Sequence, residues 1–407
     1  MKLKNIPRQV ILLGLISLFT DMASEMLYPI TPIFLSGVLG TSMALIGIIE
    51  GLAELTAGLL KGYFGFLSDK IGKRSIFVIT GYSLSALSKP LPGLIPNTVI
   101  VFISRIADRT GKGIRTAPRD ALLAGYADKN NKGAIFGFHR GMDTLGAVIG
   151  PLIGLFLLSS YSYNFRIVFL FALIPSLAAV VVTFLIKDKK KEYSEVNKQV
   201  EVSAVKERIT RFSFWKESPH NYKVLTIIFT MFSLVNSSDV FLILWSKDIS
   251  HSTITAILVY VFYNLIYALV SYPAGLFSDK FGKRNALIIG LLIFSGVYFG
   301  FGLSTGTEII WVLFFLYGIY AAFSEGIVKA WVSEIVPDKK RASAIGLLTM
   351  LSSFAIMAGS LVTGILWDAF GPAIPFIVSG MISFIAAILL YFLNKTETEK
   401  FVHKSVK

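Results

Sequence analysis

The sequence predicts an all-α integral membrane protein with twelve transmembrane helices in two six-helix, pseudo-symmetric bundles. Two observations carry this. First, apolar stretches long enough to cross a bilayer recur from end to end. The residues are 54% hydrophobic and only 16% charged, with a mean hydropathy of +0.68, and a soluble domain of this size needs a more charged surface. Second, a ten-residue signature occurs twice, as GFLSDKIGKR from Gly65 to Arg74 and as GLFSDKFGKR from Gly275 to Arg284, each between two apolar runs. A duplicated unit with an even number of spans reads as two parallel halves related by an axis along the membrane normal.

The predicted spans are 10–36, 44–67, 75–95, 98–122, 134–158, 165–186, 222–246, 253–276, 285–304, 308–332, 342–367 and 372–393. They organise the chain into a first bundle at 1–186, a cytoplasmic linker at 187–221, a second bundle at 222–394 and a cytoplasmic tail at 395–407. The first span follows basic residues, as a secretion signal does, but it runs through Asp21 to Leu35 without a small-residue cleavage site and reads as a retained helix. The linker begins KDKKKEYSEVNK and continues with Val200, Val202, Val205 and Ile209 among charges, which suits a solvated spacer or a short helix on the membrane surface. The repeat extends to DKNNKGAIFG at 128–137 and DKKRASAIG at 338–346, each ahead of the fifth helix of its half.

The formal charge of +14 is placed as a membrane protein places it. Lys70, Lys73, Arg74, Lys129, Lys132, Lys280, Lys283, Arg284, Lys339, Lys340 and Arg341 crowd the turns after spans 2, 4, 8 and 10, whereas the turns near 37–43, 93–97, 303–307 and 369–371 have no Lys or Arg. The positive-inside rule then puts both termini in the cytoplasm of a multi-pass protein of the cell membrane, with the lipid bilayer rather than nucleic acid as its partner. With no cysteine there is neither a disulfide nor a thiolate metal site. The histidines at 139, 220, 251 and 403 are scattered, so no metal site is expected.

Ionisable residues at bilayer depth are costly and mark function. They concentrate in the first half: Asp21 and Glu25 in span 1, Glu50 and Glu54 in span 2, Arg105, Asp108, Arg109 and Lys112 in span 4, and His139, Arg140 and Asp143 in span 5. Residues 105, 108, 109 and 112 follow i, i+3, i+4, i+7 and share one helical face, as do 21 with 25 and 50 with 54. Such faces line a watery cavity or pair with one another. Asp21, Glu25, Glu50, Glu54, Asp108 and Asp143 are the candidates to carry a coupling proton, since crowding and burial disfavour ionisation; static pairing with Arg105, Arg109 and Arg140 is the alternative. The second half contributes Asn236, Asp239, Tyr263 and Asn264. With Arg105, Arg109, Lys112, His139 and Arg140 they are the candidate lining of a substrate cavity.

The doubled signature resembles the loop between helices 2 and 3 of the major facilitator superfamily, G-x-L-[SA]-D-[KR]-x-G-[KR]-[KR]. Gly65, Asp69, Lys70, Gly72, Lys73 and Arg74 match it, and Gly275, Asp279, Lys280, Gly282, Lys283 and Arg284 match in the second copy, where Phe277 replaces Leu. The resemblance covers the chain and implies that this cluster latches the inner gate closed in the outward-facing state, with Asp120 as a partner for Arg74. Span 5 is similar to the family's antiporter motif G-x8-G-x3-G-P-x2-G-G through Gly137, Gly146, Gly150, Pro151 and Gly154, with Leu155 in place of the last glycine. The motif implies export in exchange for protons; a packing face for a neighbouring helix is the physical alternative. Arg105, Gly111 and Gly113 resemble the family's helix-4 pattern, with Arg109 where glycine is usual.

The expectation is therefore a secondary transporter working by alternating access, an antiporter driven by the proton gradient. It needs no cofactor, acts as a monomer and exports a small molecule such as a drug or metabolite. A small organic anion, moved in either direction, is the alternative because of the basic face of span 4. An ATP-driven pump is disfavoured because GKGIRT at 111–116 lacks the order of a phosphate loop, and a membrane enzyme because H-E-x-x-H and G-x-S-x-G are absent.

Overall fold

The computed structural model describes residues 6–126, 132–188, 215, 218–304, 306–336 and 341–392; the side chains of Asp69, Gly137, Glu325 and residues 132–134 and 341–343 are outside the description. The predicted linker helix, residues 128–131 and 338–340 of the second repeat at 128–137 and 338–346, and the tail also fall outside it. Helix dominates the described residues, and none forms a strand. The first half contains α1 (Arg8–Leu27), α2 (Ile30–Gly37), α3 (Met43–Ile71), α4 (Arg74–Ser88), α5 (Leu91–Leu94), α6 (Thr98–Tyr126), α7 (Lys132–Ser160), α8 (Phe165–Phe171) and α9 (Leu173–Thr183). The second contains α10 (His220–Ser233), α11 (Val240–Ser250), α12 (Thr253–Phe281), α13 (Lys283–Leu303), α14 (Thr307–Ile335), α15 (Arg341–Phe370) and α16 (Ala373–Phe392).

Nine stretches among the described residues are helical, long and apolar enough to cross a membrane. The predicted spans at 75–95, 98–122 and 222–246 are not among them, each for a visible reason. The first breaks after Ser88, where Pro90 has no N–H to give. The second is one continuous helix, α6, but carries Arg105, Asp108, Arg109, Lys112, Arg115, Arg119 and Asp120. The third corrects the expectation of one helix at 222–246: α10 stops at Ser233 and α11 starts at Val240. Between them Asn236, Ser237, Ser238 and Asp239 compete with the backbone for its own hydrogen bonds.

Local chemistry repeats between halves. Ser42 accepts from the Leu45 amide to start α3, and Ser252 accepts from the Thr255 amide to start α12. Gly72 (φ 74°) and Gly282 (φ 92°) turn the chain after these helices with positive φ angles that cost glycine little.

Helices of one half approach closely where small residues permit it. A Cβ on Gly146 would meet Leu18 O and one on Gly150 would meet Met22 O, so the glycine face of α7 lies against the backbone of α1. Gly81 of α4 and Gly111 of α6 face each other in the same way. The two halves meet along α3 and α15, where Gly47 lies on Ser360, Gly51 on Met357, Gly58 on Ser353 and Gly364 on Met43. Asp368 completes the seam by accepting from the Met43 and Ala44 amides at 3.0 and 2.8 Å, capping α3 from the other half. This seam occupies the end of the molecule far from the signature loops. Past Gly58 toward those loops, Lys61, Gly62 and Tyr63 are exposed, and so is Tyr272 on α12. The halves thus touch at the far end and part toward the signature end.

Candidate functional site

At the junction of the halves lies a polar cavity of about 220 Å³. The first half lines it with Tyr28 from the end of α1, Glu50 and Glu54 from α3, and Arg109 from α6. The second half lines it with 236–239, the break between α10 and α11, and with Tyr263, Tyr317 and Tyr320 from α12 and α14. The irregular backbone is placed where broken membrane helices are tolerated, against a cavity rather than lipid.

The charges around it are largely committed. Arg105 grips Glu50 with a two-point fork, its Nε donating to Oε1 at 2.8 Å and its Nη2 to Oε2, and its guanidinium also lies 5.7 Å from the Tyr28 ring centroid. Glu50 and Glu54 are therefore not an unrelieved like-charge pair. Asp108 is bound by Lys89 Nζ at 2.7 Å and by the Ser85 hydroxyl, all buried. The static partner of Asp108 is therefore Lys89, from the preceding span, and not Arg105, Arg109 or Arg140. Arg109 has no ion pair or hydrogen bond from its guanidinium among the described residues, and its Nε is buried without a partner. Glu54, Asp108 and Glu50 supply the opposing field. Lys112, exposed on the same face, lies in the field of Asp21, Glu25 and Glu54.

Across the junction the Tyr260 hydroxyl donates to Glu25 at 2.7 Å and its ring stacks on Tyr28 at 5.3 Å. Tyr317 donates to Asp239 at 2.6 Å and packs on Tyr263 and Tyr320 at 5.0 and 5.3 Å. A polar wall from each half thus faces one space, with tyrosine rings between.

Of the predicted lining residues the structure gathers Arg109, Asn236, Asp239 and Tyr263 at the cavity, together with Glu50 and Glu54. Arg105 sits behind Glu50. Asn264 turns its amide back onto Tyr260 O at 3.0 Å and is not on the wall. Arg140 is exposed on α7 and also off the wall. His139 is buried with Nδ1 3.4 Å from Asp143, whose other oxygen accepts from Ser17, so His139 and Asp143 form a second cluster between α1 and α7. Asp21 lies in the field of Asp143 and joins that cluster electrostatically.

The signature copies make their described contacts within their own halves. Lys283 bonds Asp279 at 3.0 Å and Glu334 at 2.6 Å, and Arg284 donates to Leu390 O and Tyr391 O. Arg74 donates to Ala121 O at 3.2 Å, while Asp188 caps the start of α4 through the Arg74 and Ser75 amides. Asp120 binds Arg119 at 3.0 Å. Lys70, Lys73 and Lys280 are exposed.

Sequence reasoning missed Lys89, Tyr28, Tyr317 and Tyr320. Lys89 precedes a proline near the predicted end of a span and reads as an interfacial residue; its burial depends on Asp108 arriving from α6. The tyrosines had a usable signal, since Tyr28 lies three residues from Glu25 and Tyr317 three from Tyr320, each pair on one helical face.

A helical membrane protein built from two like halves, with a polar cavity where they meet and its seam confined to one end, is by class a carrier. The comparisons identify the kind. The model of the Major Facilitator Superfamily matches residues 13–266 and 224–406, and the chain belongs to that family of transporters. It is 33% identical over 396 residues to an MFS-type transporter of Methanocaldococcus jannaschii, covering 96% of each chain. It is 24% identical over 383 residues to the multidrug resistance protein MdtH of Proteus mirabilis, covering 92% of this chain and 90% of the relative. Among solved structures its fold is similar to a point mutant of the nucleoside transporter NupG (TM-score 0.79, 13% identity, 95% and 100% of the two chains). It is also similar to a bacterial homologue of the lysosomal transporter Spinster in an inward-facing, occupied conformation (TM-score 0.77, 16% identity, 96% and 97%).

Proposed function

We propose that the protein is a proton-coupled antiporter that exports a small molecule by alternating access. The observation that carries this is the cavity at the junction, walled by both halves, so that rocking one half against the other exposes it to each side in turn. In this reading the chain crosses the cell membrane twelve times as two bundles, 1–186 and 222–394. The breaks in α1–α2, α4–α5, α8–α9 and α10–α11 lie within single spans. The signature end and both termini are cytoplasmic, which makes the described state open to the cytoplasm. The separated signature copies fit a latch that is released in that state. The protein acts as a monomer, takes its energy from the proton gradient and uses no cofactor.

Export is supported by the multidrug-resistance names of relatives and by the glycine motif of α7, which here packs on α1. Glu50 and Asp108 are held by cations, which leaves Glu54, Glu25, Asp21 and Asp143 as the better proton carriers. Everted vesicles from cells making the protein test the reading. With an acid interior they should accumulate a substrate from a labelled metabolite extract, and a protonophore should abolish the accumulation. Accumulation that survives the protonophore, or that occurs only in right-side-out vesicles, overturns coupling or direction respectively.

A further inference from the structure

The ligand's chemistry can be read from the charged groups that line the cavity wall. The organic-anion reading rests on the basic face of α6, but that face is mostly spoken for. Arg105 is held in a fork by Glu50 and faces Tyr28. Of its cations only Arg109 lines the cavity, with a buried Nε that no described residue satisfies. A buried Nε left without a partner is expensive, and a planar two-oxygen ligand is what the guanidinium fork fits. Across the cavity the wall changes sign. Asp239, with Tyr317 donating to it, stands at the start of α11, and the rings of Tyr263, Tyr317 and Tyr320 pack beside it. An acidic group next to tyrosine faces is the environment that receives an ammonium.

The space is also small. About 220 Å³ lies below the roughly 300–1,000 Å³ of pockets that hold drug-sized ligands. A bulky apolar cation leaves Arg109 without a counter-charge from the ligand, and a simple anion leaves the carboxylates of Asp239 and Glu54 facing it.

We propose that the cavity binds a small zwitterion of α-amino-acid size, its carboxylate on Arg109 of the first half and its ammonium on Asp239 and the tyrosines of the second. Such a ligand bridges the two halves, so that it is held at both ends only when both walls close on it. This substrate class rests on the transporter reading, and the test separates the two.

The purified full-length protein is titrated by calorimetry and thermal shift with the standard L-amino acids. Each hit is compared with its deaminated acid and its decarboxylated amine; for L-phenylalanine these are 3-phenylpropionate and phenethylamine. The zwitterion should bind at least about tenfold more tightly than either singly charged analogue, the loss expected when one charge-assisted contact goes. Arg109→Lys keeps the charge without the fork and should weaken the zwitterion and the acid together. Asp239→Asn should weaken the zwitterion and the amine while sparing the acid. The comparison of analogues on the unmodified protein stands even if a variant fails to fold. Binding by no amino acid, or equal binding of either singly charged analogue, overturns the zwitterion inference. Counterflow of the same compounds in proteoliposomes is read separately. A hit that binds but shows no counterflow overturns transport and leaves the site, whereas counterflow of the amine alone keeps transport and removes the zwitterion.

Discussion

The two halves share a topology and hold themselves together by different means. In the first, helices are joined by buried charge and by bare backbone: Glu50 with Arg105, Asp108 with Lys89, and the glycines of α7 against α1. In the second, aromatic rings do this. Phe294 stacks on Tyr298 at 3.9 Å and meets Phe232 and Tyr320 edge-on at 4.9 and 4.8 Å, while Trp367 lies against Trp245 and Phe376 at 6.0 and 5.7 Å. Lipid gives helices no hydrophobic reason to associate, so each half must find contacts that lipid cannot replace. Ion pairs can gain or lose a proton and change partners; interlocked rings cannot. Under the proton-coupled mechanism proposed above, the first half supplies the groups that titrate and the second keeps its shape.

The comparison breaks most decisively at Lys89. Lys89→Met leaves Asp108 buried without its cation and should cost about 3–5 kcal/mol, read as a large fall in melting temperature in detergent. Adding Asp108→Leu should restore much of it, because the pair removed together leaves no orphaned charge. An unchanged melting temperature in the single variant would mean that buried charge does not hold the first half.

Tyr317→Phe probes the second half, where it removes one donor to a carboxylate, at about 1.5–3 kcal/mol. Because the ring stays, the aromatic packing should survive, and tryptophan fluorescence should be unaltered while ligand binding weakens. A shifted spectrum would show that Asp239 also organises the aromatic cluster.

Gly150→Ala places a methyl on Met22 O and should cost about 1–3 kcal/mol by forcing α1 from α7. A neutral result would remove close backbone approach from what distinguishes the first half.

The smallest effect on stability is expected at the signature. Asp279 is largely exposed, so Asp279→Asn should change stability by less than about 1 kcal/mol. Transport should nonetheless fall for both Asp279→Asn and Asp69→Asn, if these loops close the cytoplasmic side in the opposite state. Full turnover in both variants would end the latch role.

Much of the fold is legible in the sequence because lipid imposes a length and an apolarity on every span, and because the signature occurs twice. The charged faces of α1, α3 and α6 are legible from spacing alone. Pairing is not. Spacing places Asp108 on a face but does not say that α4 will bring Lys89 to it, nor that Glu50 rather than Glu54 will meet Arg105. The break at 236–239 is hidden too, since Asn-Ser-Ser-Asp contains neither proline nor glycine and the apolar residues around it continue the pattern of one helix. Asp368 reads as the end of a span; that it caps α3 from the opposite half follows only from how the halves pack.

That cap bears on the balance between access states. Any rearrangement that separates the far end takes Asp368 away from the Met43 and Ala44 amides, and the first turn of α3 must then be rehydrated. A cap of this kind is worth about 1 kcal/mol, or roughly fivefold in the ratio of the two populations. One carboxylate, remote from the cavity, therefore biases the resting conformation toward the state in which the far end is closed.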